Sequence, residues 1–273
     1  GHVLKDLLES QMIPTVKLDR IYRQSQESGI IQLAHSIRND DYQEHLFLDY
    51  KDIHFQTCAS YDIVNYVKVL VSKAMKEGYD ANDIQVLAPM YNGVAGIDAL
   101  NDCLQELLNP HDEYKNELRV GKRIYREGDK ILQLKNRIDD NVFNGDIGVL
   151  EEICYKDNFE FLADTLIVNF DGIYVEYTAN DFYTITHAYC MSIHKSQGNE
   201  FKIVIMPVLK DYYIMLKKNL IYTGLTRAKQ SLFVIGNHQA FAYGIANNHD
   251  EKRRTTLSEK MSQTQSISPY DFM

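Results

Sequence analysis

The sequence predicts an α/β fold: a parallel sheet flanked by helices, interrupted by a small all-β insert. Three observations carry this. Up to Pro110, short apolar runs alternate with helical patterns, as in βαβ units built on a parallel sheet. From Leu118 to Tyr183 the alternation gives way to short strands separated by Gly128-Asp129, Asn144-Gly145-Asp146 and Asp171-Gly172, which are turn signals. At AYCMSI the strand–helix alternation resumes. The expected division is therefore a discontinuous α/β domain over 1–117 and 185–248, an all-β unit over 118–184 and a flexible tail over 249–273.

The elements follow in order. VLKDLLES reads as a helix before a turn at Pro14, and SGIIQLAHSIRN as a second helix that Ser28 could cap. DIHFQTC is a short strand, and YDIVNYVKVLVSKAMKEG an amphipathic helix stopped by Gly78. DIQVLAPM is a buried strand, and VAGIDALNDCLQELLN a helix ended by Pro110. After the insert come a strand at AYCMSI, a turn at SQG, the strand KIVIMPV, a helix over 214–228, the strand SLFVIGN and a helix over 238–247.

Composition narrows the class. A hydrophobic fraction of 45% and a charged fraction of 25% are ordinary for a globular protein. The net charge of −9 excludes a general basic coat for nucleic acid, but not a local groove of a few cations and backbone N–H groups. The four cysteines, Cys58, Cys103, Cys154 and Cys190, are dispersed without metal-site spacing and read as free thiols of a reducing compartment. No apolar run approaches the roughly 20 residues that span a bilayer. The expectation is a cytoplasmic protein without membrane contact.

Four segments carry candidate chemistry. In SIHKSQGNEF, Ser192, His194, Lys195 and Ser196 offer donors suited to phosphate oxygens. Gly198 permits close backbone approach, and Glu200 supplies an acceptor pair for ribose hydroxyls. In isolation the segment would read as a polar turn at a strand end, where ligands of open α/β sheets collect. In IYTGLTRAK, Arg227 precedes an apolar strand. A guanidinium there can stabilise transferring phosphoryl charge, worth roughly 10³–10⁵ in rate for arginine fingers. Its bland counterpart is a surface arginine paired with a carboxylate. In LDRIYRQSQES, Tyr22 can stack on a base and Arg23 reach a phosphate; alone, Arg20 and Arg23 read as solvated charges. In VLAPMYNGVAGIDALN, Asn92 and Gly93 lie where a strand meets a helix N-terminus. The insert adds a basic run, Arg119, Lys122, Arg123, Arg126, Lys130, Lys135 and Arg137, with Tyr125 interleaved. It is a candidate nucleic-acid face, or simply a solvated one.

In this order, IYRQ, APMYNGVAGIDALN, YREGDKILQLKN with VFNGDIG, SIHKSQGNEF and YTGLTRAK resemble the C-terminal half of RecD-like DNA helicases of superfamily 1, the 5′-to-3′ exonuclease V alpha-subunit type. The resemblance runs over about 1–245. It implies a second RecA-like motor domain with an inserted SH3-like barrel. It also implies that Arg23 and Arg227 contact the γ-phosphate, Tyr22 lies near the adenine, and Gln197, Gly198 and Glu200 line the nucleotide cleft. Asn92, Ser192, His194, Lys195, Ser196 and the barrel's Arg123 would touch single-stranded DNA. ATP and Mg2+ would be held mainly by an N-terminal motor domain. No G-x-x-x-x-G-K-[ST] phosphate loop occurs in the 273 residues, so the chain is expected to be a fragment, inactive alone. The SPYDFM end could carry a protein partner. Ser192 stands where Thr is common, and Gly224-Leu225 where Ala-Ile is usual. Two alternatives remain open at this point: a non-catalytic nucleic-acid-binding or docking module, and the helicase part of a conjugative relaxase. Arg23, Glu200 and Arg227 together favour a nucleotide cleft over the module. A nuclease reading lacks the carboxylate–lysine cluster it needs.

Overall fold

The computed structural model describes residues 3–10, 14–16, 28–156, 162–247 and 260. It divides into two units, Gln24–Asn248 and Gly1–Arg23 with His249–Met273. The second contributes one described helix, α1 (Val3–Ser10), in which the Ser10 hydroxyl donates to the Leu7 carbonyl at 2.8 Å. The first unit, Gln24–Asn248, holds the sheets.

Its elements run α2 (Gly29–Asn39), α3 (Leu46–Asp49), β1 (Ile53–Thr57), α4 (Ile63–Lys76), β2 (Ile84–Ala88) and α5 (Ile97–Leu108). Seven strands follow: β3 (Glu117–Val120), β4 (Arg123–Arg126), β5 (Lys130–Gln133), β6 (Ile147–Cys154), β7 (Thr165–Phe170), β8 (Ile173–Tyr177) and β9 (Ile185–His187). The chain then returns through β10 (Cys190–Ser192), β11 (Phe201–Val208), α6 (Lys218–Leu225), β12 (Ala228–Gly236) and α7 (His238–Ala246).

β1, β12, β11, β2 and β10 form, in that order, one wholly parallel sheet. Parallel strands need helical crossovers, and helices on the sheet bury its strands. Accordingly every residue of β2 is buried, and every residue of β11 except Lys202. α4 packs beside α5, while α6 packs against both α2 and α7. Ser28 takes the N-cap position of α2 that the sequence suggests, but its side chain makes no cap hydrogen bond. Its hydroxyl donates to Asp52, and Asp52 accepts from the amides of Gly29 and Ile30 at 2.9 and 3.3 Å. A carboxylate beside β1 thus takes the orphan donors of the helix. The expected 214–228 helix begins only at Lys218.

The insert is antiparallel. β8-β7-β6-β5-β9 make one sheet and β3-β4 a hairpin, sharing a core of Tyr125, Leu150, Leu166, Val168, Tyr177 and neighbours. β9 pairs with β5 and so carries the sheet to His187, past the expected boundary at 184. Gly148 shows how tight the packing is: a Cβ there would lie 2.7 Å from the Asn169 carbonyl.

The join between insert and parallel sheet is polar and buried. Asp129 accepts from the Arg126 amide (2.7 Å), Gln105 (2.7 Å), Asn109 (2.9 Å) and Tyr189 (2.9 Å), and lies 3.1 Å from His187 Nε2. Burial alone would raise its pKa; His187, Asn109 and the Arg126 amide outweigh this and hold it below the usual carboxylate range. On the next residue, the Lys130 ammonium donates to the carbonyls of Ala81 and Ile84 and to Gln85 Oε1 at 3.0–3.3 Å. Burial pushes its pKa down to about 8, against the pull of Asp80 and Asp83. Arg126 is buried against Glu106, Glu117 and the Asn109 carbonyl.

The expected basic face is corrected accordingly. Tyr125, Arg126 and Lys130 point inward, and only the remaining members of that run reach solvent. The four cysteines are free thiols, two buried and two half-buried. Among the described residues, no helix is long and apolar enough to cross a membrane.

Candidate functional site

The segment Ser192–Phe201 crosses the parallel sheet from one edge to the other. Ser192 closes β10 level with Ala88, at the carboxyl end of β2. A 3-10 turn over Ile193–Ser196 follows, with Ser192 Oγ accepting the Lys195 amide at 3.4 Å. Gly198 takes a φ of +93°, reversing the chain. Glu200 then enters β11 at the amino edge, where Phe201 pairs with Ala228. That register puts Glu200 beside Arg227, so the two sequence motifs converge.

The candidate residues are divided between the two ends of the strands. Ser192, His194 and Lys195 lie at the carboxyl end of β10. Asn92 lies in the loop that leaves the carboxyl end of β2. Gln197, Gly198, Glu200 and Arg227 belong to the return toward the amino edge.

At the amino edge, Arg227 donates to the carbonyls of Thr223 (3.2 Å) and Asn199 (3.1 Å) and to Thr226 Oγ1 (3.3 Å). All three acceptors are neutral, so among the described residues no carboxylate pairs with it. Its own carbonyl accepts the Phe201 amide at 2.9 Å. Glu200 pairs with Lys229 at 2.9 Å, a partner the sequence did not reveal. Gln197 and Gly198 are exposed.

At the carboxyl edge, His194 and Asn92 are exposed and Lys195 is half-buried. The Asn92 loop is tightly wound. The Ile97 and Asp98 amides reach back to the carbonyls of Met90 and Tyr91 at 2.9 and 3.2 Å. A Cβ at Gly96 would sit 2.4 Å from the Tyr91 carbonyl. Asn101, at the end of that motif, brackets Cys190 with two hydrogen bonds of 2.8 and 2.9 Å and so fixes β10 two residues before Ser192.

Two candidates take other roles. Ser196 is fully buried, its hydroxyl donating to the Ile193 carbonyl at 2.7 Å, so it does not face a strand. Arg123 is half-exposed and pairs with Asp98 of α5 at 3.2 Å. Tyr22 and Arg23 lie outside the described residues. Among the described residues, no group of three or more His, Cys, Asp or Glu side chains is placed to hold a metal ion. The cavity at the carboxyl end of β1, about 370 Å³ and lined in part by Thr57, Cys58, Asp62 and Tyr66, involves none of the candidates.

Two family models match. Residues 100–170 fit the ATP-dependent RecD-like DNA helicase SH3 domain, and 187–235 the UvrD-like helicase C-terminal domain. The chain is similar to the ATP-dependent RecD2 DNA helicase of Deinococcus radiodurans, 30% identical over 260 residues. The match covers 92% of this chain and 33% of the relative. The RecBCD enzyme subunit RecD of Buchnera aphidicola is 23% identical over 252 residues, covering 85% of this chain and 40% of the relative. The chain thus spans between a third and two fifths of these relatives' length.

Among solved structures, the Pif1 helicase from Bacteroides in complex with ADP-AlF3 and ssDNA aligns at a TM-score of 0.51, with 15% identity, over 92% of this chain and 57% of that one. The Pif1 helicase from Candida albicans gives 0.51 and 15% over 93% and 61%. At these identities the likeness concerns the fold. Together these give a RecA-like fold with an SH3-like domain, matched by models of helicase domains. Over these residues the chain is similar to the C-terminal region of RecD-like helicases.

Proposed function

We propose that this chain is the second motor domain of an ATP-dependent 5′-to-3′ DNA helicase. It would complete a nucleotide cleft with its amino edge and hold single-stranded DNA with its carboxyl edge. The observation that carries the reading is the convergence of Glu200 and Arg227, set side by side by the Phe201–Ala228 register. Among the described residues, the guanidinium there is held by neutral oxygens. In this reading Arg227 presents uncompensated positive charge to a transferring phosphoryl group, joined by Arg23. Gln197, Gly198 and Glu200 line the nucleotide, with Tyr22 near the base. ATP and Mg2+ are held mainly by an N-terminal RecA-like domain bearing the phosphate loop. Asn92, Ser192, His194 and Lys195 offer hydrogen bonds and charge to the strand's phosphates. Arg123, with its charge shared by Asp98, contributes less. The bridging segment 193–199 would link cleft closure to strand movement.

Fluorescence anisotropy of labelled oligo-dT against the 273-residue chain tests the strand-contact half. The expected result is weak, salt-sensitive binding that weakens further in His194→Ala and Lys195→Ala. Absence of binding at low salt, or affinity indifferent to both substitutions, overturns it. The same preparation is expected to show no ATP turnover; turnover in material free of contaminating ATPases would contradict the division of labour.

A further inference from the structure

The turn Phe143–Asp146, between β5 and β6 of the antiparallel unit, leans on the bridging segment of the motor domain. Asn144 Oδ1 accepts a hydrogen bond from Lys195 Nζ. The Gly145 carbonyl accepts from Asn199 Nδ2 at 3.1 Å. One turn therefore touches both ends of the stretch that joins the carboxyl edge to the amino edge.

The turn is well held on its own side. The Phe143 amide donates to Asp146 Oδ2 at 2.7 Å, the Asn144 amide to Asn136 Oδ1 at 2.9 Å and the Gly145 amide to the Gln133 carbonyl at 2.9 Å. Gly145 needs its φ of +106° for this path. β5, which leads to the turn, is anchored in turn by Asp129 and Lys130. A rigid support thus runs from the buried join to Lys195.

Asn144 suits Lys195 for a chemical reason. An ammonium has three donors and no acceptor. A neutral amide oxygen takes one of them and orders the side chain while leaving the charge uncancelled. A carboxylate at the same place would cancel it.

We infer that Asn144 is a positioning residue for strand binding, aiming the Lys195 ammonium at a phosphate. The inference rests on the reading of Lys195 as a strand contact given above.

The test is oligo-dT anisotropy over a salt series for Asn144→Ala, Asn144→Asp, Lys195→Ala and Lys195→Ala combined with Asn144→Ala. Asn144 is exposed, so its variants are expected to fold, and thermal melts check this. Lys195→Ala is expected to lower the slope of log affinity against log salt by about 0.7, one single-strand phosphate. Asn144→Ala is expected to weaken binding about three- to tenfold, the range of an ordinary hydrogen bond, with the slope kept. Asn144→Asp is expected to lower the slope as Lys195→Ala does. In the Lys195→Ala background, Asn144→Ala is expected to add nothing.

Asn144→Ala without effect in wild type, or with an equal effect in the Lys195→Ala background, overturns the positioning role alone. Lys195→Ala without effect overturns the strand-contact reading and the inference with it.

Discussion

At the scale of single residues, the least ordinary feature is a pair of neighbouring buried charges. Asp129 lies just before β5 and Lys130 opens it, and each has its hydrogen-bonding capacity met by different partners. A buried charge costs stability unless it is paired or hydrogen-bonded, and the two respond to pH differently. The Lys130 pKa of about 8 lies below the roughly 10.4 of an unfolded lysine. Below pH 8 both states carry the proton, and the fold bears the full cost of the buried charge. Between about pH 8 and 10 the unfolded state binds more protons, so this residue's contribution to stability rises with pH. Relative to Lys130→Met, the wild type should therefore gain up to about 1.4 kcal/mol per pH unit in that window. Urea unfolding of both proteins at pH 7.5, 8.5 and 9.5 reads the difference, in which the buried tyrosines and cysteines cancel. Parallel pH profiles would mean that Lys130 is not titrating in the fold.

At the scale of elements, what was legible in the sequence was periodicity, and what was not was direction. Strand–helix alternation was enough to predict a parallel sheet, because helical crossovers and buried apolar runs are local features. The inward turn of Arg126 and Lys130 left no local mark; charged residues are almost always exposed, so the run read as a surface. The segment SIHKSQGNEF was visible, but which sheet edge each half occupies depends on the pairing of β10 with β2 and of β11 with β12. The acceptor for the first amides of α2 was hidden for the same reason, since its carboxylate comes from Asp52, 23 residues from Gly29. Asp52→Ala is expected to cost about 1 kcal/mol and to lower the melting temperature. A melt unchanged within error would show that water replaces the cap. Gly148 is the stronger case, since an added Cβ meets the Asn169 backbone and both Val168 and Phe170. Gly148→Ala is expected to destabilise the antiparallel sheet by about 1–3 kcal/mol. Hydrogen exchange should then speed up in β6 and β7 first. Loss of protection spread evenly over both sheets would instead mean that the insert and the parallel sheet unfold as one.

At the scale of the whole molecule, the candidate residues fall on two edges of one sheet, and substitutions at each edge should therefore fail differently. Arg227 lies at the amino edge beside Glu200, while Lys195 belongs to the turn that follows the carboxyl end of β10. In a protein joining this chain to a first motor domain with its phosphate loop, DNA-stimulated ATP turnover separates the two. Arg227→Ala is expected to lower turnover at saturating DNA by about 10³ or more, the effect of removing an arginine finger. Arg227→Lys should recover little, because a point charge does not reproduce the planar fork. Lys195→Ala is expected to act mainly on the DNA concentration needed for half-maximal turnover, and more severely as salt rises. Were Arg227→Ala to act mainly on DNA affinity, or Lys195→Ala mainly on saturated turnover, the two edges would not be separate sites. The segment 193–199 would then be a single site whose ligand touches both ends at once.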